Sequence, residues 1–276
     1  MRIETIELPR QPYGKKTPTM TLYLQDNIPV QAGRLRPAVI ICPGGGYQRC
    51  SEREAEPIAL EFLARGYQAL VVDYTVLDHS EAARGMALLP YPLYDLAHAV
   101  ATVRAHAEEW SVDEGRIALI GFSAGAHLCA AYSAVSRRLS FPFEADCAMR
   151  DVSVSAQVLC YPVIDFSLGW PDDEIIARAL CADGELDAVQ NLVDRDTPRT
   201  FIWHTAADAF VPPANTFAYA EALDRAGVDF DCHVFHRGRH GLSLATEQTG
   251  ADEAHLDEHV ARWIDLAVEW LEEGPR

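Results

Sequence analysis

Ile117-Ala118-Leu119-Ile120-Gly121-Phe122-Ser123-Ala124-Gly125-Ala126-His127 decides how the rest of the chain is read. An apolar run of strand character leads into Gly-x-Ser-x-Gly, and small, helix-compatible residues (Ala124, Ala126, Ala130, Ala131) follow. The pattern predicts a strand, a sharp turn and a helix. Small residues on both sides of the serine relieve Cβ conflict in a strained turn, which thrusts the hydroxyl out above the sheet edge. Ser123 is therefore the candidate nucleophile; for the pentapeptide alone the alternative is an ordinary tight strand-to-helix turn.

Outward from this stretch, strands and helices alternate. On the N-terminal side, residues 3–8 and 19–24 predict two strands of an antiparallel edge, joined through Pro9, Pro12, Gly14 and Pro18. Residues 37–42 form a continuous apolar run, as a strand buried on both faces does, and end in Pro43-Gly44-Gly45-Gly46-Tyr47. A helix is predicted over 54–65, a strand over 67–73, a looser piece over 78–92 and a long helix over 93–110. After the strand at 116–120, the helix behind Ser123 runs to about Val135. Residues 136–151 read as irregular and charged. Further strands are predicted at 152–162, 199–205 and 230–236, and helices at 213–226 and 254–271. Residues 165–197, interrupted by Gly169, Pro171 and Gly184, suggest a small cap. The class is α/β: a mainly parallel central sheet, helices on both faces, a minimal cap and one domain over 1–276.

Composition narrows the function. Among 276 residues 49% are hydrophobic, ample for a core. Lys plus Arg is 23 against 41 for Asp plus Glu, a formal charge of −18, which disfavours nucleic acid and anionic membrane surfaces as partners. Seven scattered cysteines suit a reducing compartment. With no apolar run of signal-peptide or membrane-spanning length, a soluble cytoplasmic chain is expected. As a partner, a second copy of the chain remains open.

A serine hydroxyl needs a base within hydrogen-bond reach, itself oriented by a third group. In a parallel sheet these come from loops at the carboxyl ends of strands. Asp208 follows the 199–205 strand, where helix capping is its alternative role. His240 lies in Arg237-Gly-Arg-His-Gly241 after the last strand, where a merely solvated histidine is the alternative. The order Ser123, Asp208, His240 is that of α/β-hydrolase triads. The unhindered backbone of Gly44-Gly45-Gly46 offers N–H groups to an oxyanion, Gly45 and Gly46 being the candidates, with the Ala124 N–H as a further donor. A phosphate loop is the rival for the triple glycine, but Tyr47-Gln48-Arg49 follows rather than Gly-Lys-Ser/Thr. Another rival is a zinc site at His255-Leu-Asp-Glu258-His259, read as the wet face of the terminal helix.

Cys42-Pro-Gly-Gly-Gly-Tyr47, Arg53-Glu-Ala-Glu-Pro57, Gly121-Phe-Ser-Ala-Gly-Ala-His-Leu128, Trp203-His-Thr-Ala-Ala-Asp208 with Val211-Pro212, and Arg239-His-Gly-Leu-Ser243 together resemble the α/β-hydrolase esterases of the acetyl-esterase and carbohydrate (xylan) deacetylase type. The resemblance runs from about residue 36 to the C-terminus. It implies an α/β-hydrolase fold and a serine esterase that takes a small-molecule ester substrate as its partner and needs neither cofactor nor metal, with Ser123 as nucleophile, Asp208 as triad acid and His240 as base. Ala126 stands where a second glycine is common, and Ala207 where many relatives carry another acid. A serine peptidase of this fold and a non-catalytic binding protein are the competing readings.

Overall fold

The computed structural model describes residues 1–136, 151–182 and 184–274. Most of the irregular, charged segment expected at 136–151 therefore lies outside the described residues. Eight strands form one sheet in the order β1-β2-β4-β3-β5-β6-β7-β8. They are β1 (Arg2–Glu7), β2 (Thr19–Leu24), β3 (Arg36–Cys42), β4 (Gln68–Asp73), β5 (Val112–Phe122), β6 (Ala156–Cys160), β7 (Arg199–Thr205) and β8 (Phe230–Phe235). β1 pairs antiparallel with β2 and β2 antiparallel with β4, which makes the antiparallel edge, and the pairings from β4 through β3, β5, β6 and β7 to β8 are parallel. β3 and β6 are buried along their whole length, which for β3 is why residues 37–42 read as an unbroken apolar run.

The helices are α1 (Glu56–Ala64), α2 (His79–Ala82), α3 (Tyr91–Ala105), α4 (Ala124–Val135), α5 (Glu174–Leu180), α6 (Ala214–Ala226) and α7 (Trp263–Glu273). α1 and α7 pack on one face through Ile58, Phe62, Trp263 and Trp270. α3, α4 and α6 cover the other through Leu96, Val100, Leu128, Tyr219 and Leu223. This is the α/β-hydrolase fold. Among the described residues no helix is long and apolar enough to cross a membrane.

Register places the site. Cys42 pairs with Gly121, Phe122 with Cys160, Cys160 with Trp203 and Thr205 with Phe235. The carboxyl ends of β3, β5, β6, β7 and β8 thus share one rim, and their following loops converge. From β3 the sheet extends toward β4 on one side and β5 on the other, so the loops after β3 and β5 flank the crevice where such sheets bind ligands.

Two expectations change. The terminal helix begins at Trp263, not near residue 254, because two aspartates turn the preceding chain. Asp252 accepts from the Ala254 N–H, and Asp257 from the N–H groups of His259 and Val260, so that each starts a short turn of its own. His255 and His259 consequently do not share a helix face: His255 pairs with Asp252 at 2.8 Å, and His259 lies edge-on to Phe235. Among the described residues no group of three His, Cys, Asp or Glu is placed to hold a metal. The second change is the long helix, which spans Tyr91–Ala105 rather than 93–110.

Candidate active site

Ser123 occupies the turn between β5 and α4 with φ 53° and ψ −117°, a left-handed conformation that costs a non-glycine residue strain. The flanking glycines make the turn fit. A Cβ on Gly121 would stand 2.5 Å from the Ala126 Cα, and one on Gly125 would stand 2.1 Å from the Cys42 carbonyl oxygen. The Ser123 N–H donates to Cys160 O at 3.0 Å, and its own carbonyl accepts from Ala126 and His127, starting α4.

The three residues singled out after separate strand ends come together. Ser123 Oγ–H donates to His240 Nε2 at 2.8 Å, and His240 Nδ1–H donates to Asp208 Oδ2 at 2.6 Å. These bonds fix one tautomer, with the proton on Nδ1 and the lone pair aimed at the serine. Asp208 does not cap α6, whose N-cap is Pro213. Its Oδ1 accepts instead from the N–H groups of Phe210 and Val211, both at 3.0 Å. Burial pushes the Asp208 carboxyl up, but hydrogen bonds from His204 and His240, the His240 imidazole's charge and the Val211 N–H outweigh it. The group lies well below the usual carboxylate range and stays ionised.

His204, near the end of the strand expected at 199–205, also meets this carboxylate. Its Nε2–H is shared between Asp208 Oδ2 at 3.1 Å and Val211 O at 2.9 Å, while the Thr216 hydroxyl donates to Nδ1 at 2.8 Å. Four donors therefore converge on Asp208, two imidazoles on one oxygen and two amides on the other.

The glycine loop after β3 reaches the serine: a Cβ on Gly44 would stand 3.1 Å from the Ser123 Cβ. Its three amides are not equivalent. The Gly44 N–H donates to Glu54 Oε2 at 2.8 Å and is spent. Among the described residues the N–H groups of Gly45, Gly46 and Ala124 have no protein acceptor, which leaves them for a ligand oxygen. Gly45 (φ 124°) and Gly46 (φ 63°) adopt left-handed conformations, and a Cβ on Gly45 would collide with the Arg49 carbonyl at 2.2 Å.

Glu54 and Tyr161 are the residues sequence reasoning missed on this side. Tyr161, with φ 39° just after β6, donates its hydroxyl to Glu54 Oε1 at 2.6 Å and accepts from the Ser243 N–H at 3.0 Å. Its ring stands edge-on to His240, centroids 5.1 Å apart. Burial, together with the Glu54 charge, pushes the phenol well above its ordinary range, so it remains a donor. Behind the loop, Tyr47 donates to His127 Nδ1 at 2.8 Å, and His127 Nε2–H donates to Leu186 O at 2.8 Å. The described residues of the segment expected as a cap hold α5 and short turns at Phe166–Leu168 and Val189–Leu192, and Trp170 stands over Gly46.

The sequence matches the BD-FAE family over residues 24–223. It is 33% identical to endo-1,4-beta-xylanase B of Butyrivibrio fibrisolvens over 77% of this chain and 33% of that protein. It is 27% identical to an acetylxylan esterase of Xylanibacter ruminicola over 82% of this chain and 44% of the relative. The chain thus spans between a third and a half of these curated relatives' length. Among solved structures, the carboxylesterase Cest-2923 from Lactobacillus plantarum matches with a TM-score of 0.89 at 31% identity, covering 99% of this chain and 98% of that one. The acetyl ester-xyloside bifunctional hydrolase from Caldicellulosiruptor lactoaceticus matches with a TM-score of 0.78 at 30% identity, covering 96% and 90%.

Proposed function

The chain belongs to the BD-FAE family, and on that premise we propose that it is a serine carboxylic-ester hydrolase acting on short acyl esters, acetyl above all, with acetylated sugars as the natural class. The observation that carries the reading is the unbroken relay from Ser123 Oγ through His240 to Asp208, at 2.8 and 2.6 Å. His240 Nε2 takes the serine proton as Oγ attacks the ester carbonyl, and ionised Asp208 stabilises the imidazolium. The oxyanion draws on the free N–H groups of Gly45, Gly46 and Ala124, each worth about 3 kcal/mol by analogy with other oxyanion donors. His240 then protonates the departing alcohol, and water, activated by the same imidazole, releases the acid from Ser123. Every group the cycle needs is supplied by the chain.

Acetyl esters of sugars are favoured because similar proteins are named for acetylxylan and acetyl ester-xyloside hydrolysis. The free cysteines among the described residues support a cytoplasmic setting. The test is hydrolysis of p-nitrophenyl acetate by the purified chain. Ser123→Ala should lower kcat by about 10⁶-fold, and His240→Ala should abolish the burst of p-nitrophenol. Full activity in Ser123→Ala would sink the proposal.

A further inference from the structure

Phe210 is 60% exposed, yet it sits in a turn whose backbone is bound to the site. Its N–H is bound to Asp208, the next residue Val211 is wholly buried, and Pro212 is docked so closely that a Cβ on Gly169 would stand 2.9 Å from its Cγ. The exposed ring therefore stands on a held backbone. Scattered single apolar residues are ordinary on a protein surface. Phe210 differs in position: its ring centroid is 5.3 Å from that of His240, with the planes tilted by 48°. Tyr161 also faces the imidazole, but it is buried and its hydroxyl is committed to Glu54, whereas Phe210 opens to solvent.

The chemistry says which half of an ester lies there. As the bond between the acyl carbon and the alcohol oxygen breaks, its electron pair leaves with that oxygen, which receives the proton from His240 Nε2, while the acyl group stays on Ser123 Oγ. The departing alcohol must then lie beside the imidazole, next to Phe210. We propose that Phe210 is a specificity-determining residue, an apolar shelf for the alcohol half of the ester, and that the alcohol it takes is a ring with a flat apolar face, a pyranose or an aryl group. This inference rests on the serine esterase reading of Ser123 and His240.

The test compares kcat/KM of the wild type and Phe210→Ala on phenyl acetate, an acetylated methyl xylopyranoside and ethyl acetate. All three form the same acetyl-Ser123, so alcohol-dependent differences arise only while the alcohol is still bound. The variant keeps the backbone N–H to Asp208, and the exposed ring supports no core. Loss of the shelf should cost ring esters about tenfold and ethyl acetate less than about threefold, and Phe210→Trp should restore the ring preference. A fall on the pyranoside alone assigns the shelf to sugars, a fall on phenyl acetate alone to aryl alcohols, and a fall on both to either ring. Equal falls on all three esters, or none, would overturn the shelf while leaving the esterase reading in place. A wild type inactive on all three would overturn both.

Discussion

Asp208 and Glu54 are two carboxylates, each 4% exposed, that flank Ser123 from different loops and serve different partners. Asp208, after β7, meets the imidazoles of His204 and His240 and two backbone amides. Glu54, in the short turn before α1, meets one amide, of Gly44, and one phenol, of Tyr161. An imidazole gains a proton during the proposed reaction and so feels the charge of its carboxylate. A peptide N–H and a buried phenol do not change protonation. In the proposed reaction, the same functional group would act through its charge on one side of the serine and as a strut on the other.

Asp208→Asn should break the comparison most visibly. The amide cannot hold the required His240 tautomer, and the loss in kcat is expected to be about 10⁴-fold, as for other triads, with circular dichroism unchanged. Glu54→Ala should act on the fold first. It leaves the Gly44 N–H and the Tyr161 hydroxyl buried without an acceptor, at roughly 1–3 kcal/mol each, seen as a lower melting temperature. With the glycine loop released, kcat should fall by about 10²-fold while KM changes little. Glu54→Gln keeps an acceptor for Gly44 and should recover most of both. If Glu54→Gln instead loses as much kcat as Asp208→Asn at an unchanged melting temperature, Glu54 acts through charge and the contrast collapses.

Which parts of this were legible in the sequence follows from how each residue is held. Ser123, Asp208 and His240 each follow a strand, and register alone brings strand ends to one rim, so their convergence could be read from chain order. The triple glycine was readable as unhindered backbone, but not that Gly44 would give up its amide, because Glu54 faces it from another turn. Arg53-Glu-Ala-Glu-Pro57 stood out only as part of the family resemblance. His204 sits in a buried strand where alternation gives no sign that its ring meets Asp208; its place four residues ahead of the acid was the one available signal. The overrun of the last helix had a local cause: Asp257 competes for the backbone amides that a continuous helix would need.

A smaller effect is expected from His204→Phe, which removes one of the two imidazole donors from Asp208 Oδ2. Asp208 still holds His240, so kcat should fall about tenfold, on the scale of one charge-assisted hydrogen bond, with KM nearly constant. The Asp208 carboxyl should also rise toward its ordinary range. A depressed carboxylate contributes stability that is present above its unfolded value, near 3.9, and is lost as pH falls through the folded value. The variant should therefore be less stable than the wild type at pH 6, and the gap should narrow on acidification below about 4. A KM effect larger than the kcat effect would place His204 at the substrate rather than behind the acid.

The smallest effect at neutral pH belongs to His127, the buried histidine behind the glycine loop, as His204 is behind Asp208. Burial pushes its imidazole down to about 4, only partly opposed by the bond to Leu186 O. Nδ1 accepts from Tyr47, so a second proton on the ring would break that bond and disturb the residue after Gly46. The unfolded chain takes up the proton near pH 6.5 and the folded chain only near 4, so stability falls with acidification across that window. Two and a half pH units at about 1.4 kcal/mol each give about 3.5 kcal/mol in full, of which about 3 kcal/mol is lost by pH 4, where the folded ring is itself half protonated. Asp95 works in the opposite sense: burial pushes its carboxyl up to about 6, so the folded chain binds that proton first. The His127 share is therefore the difference between wild type and His127→Gln, measured by urea unfolding at half-unit steps from pH 7 to 4. The variant should show a flatter acid limb and lose less than about threefold in kcat at pH 8. Parallel curves would mean that His127 titrates normally inside the fold, and that the glycine loop has no pH-sensitive support to set against the charged one beneath His240.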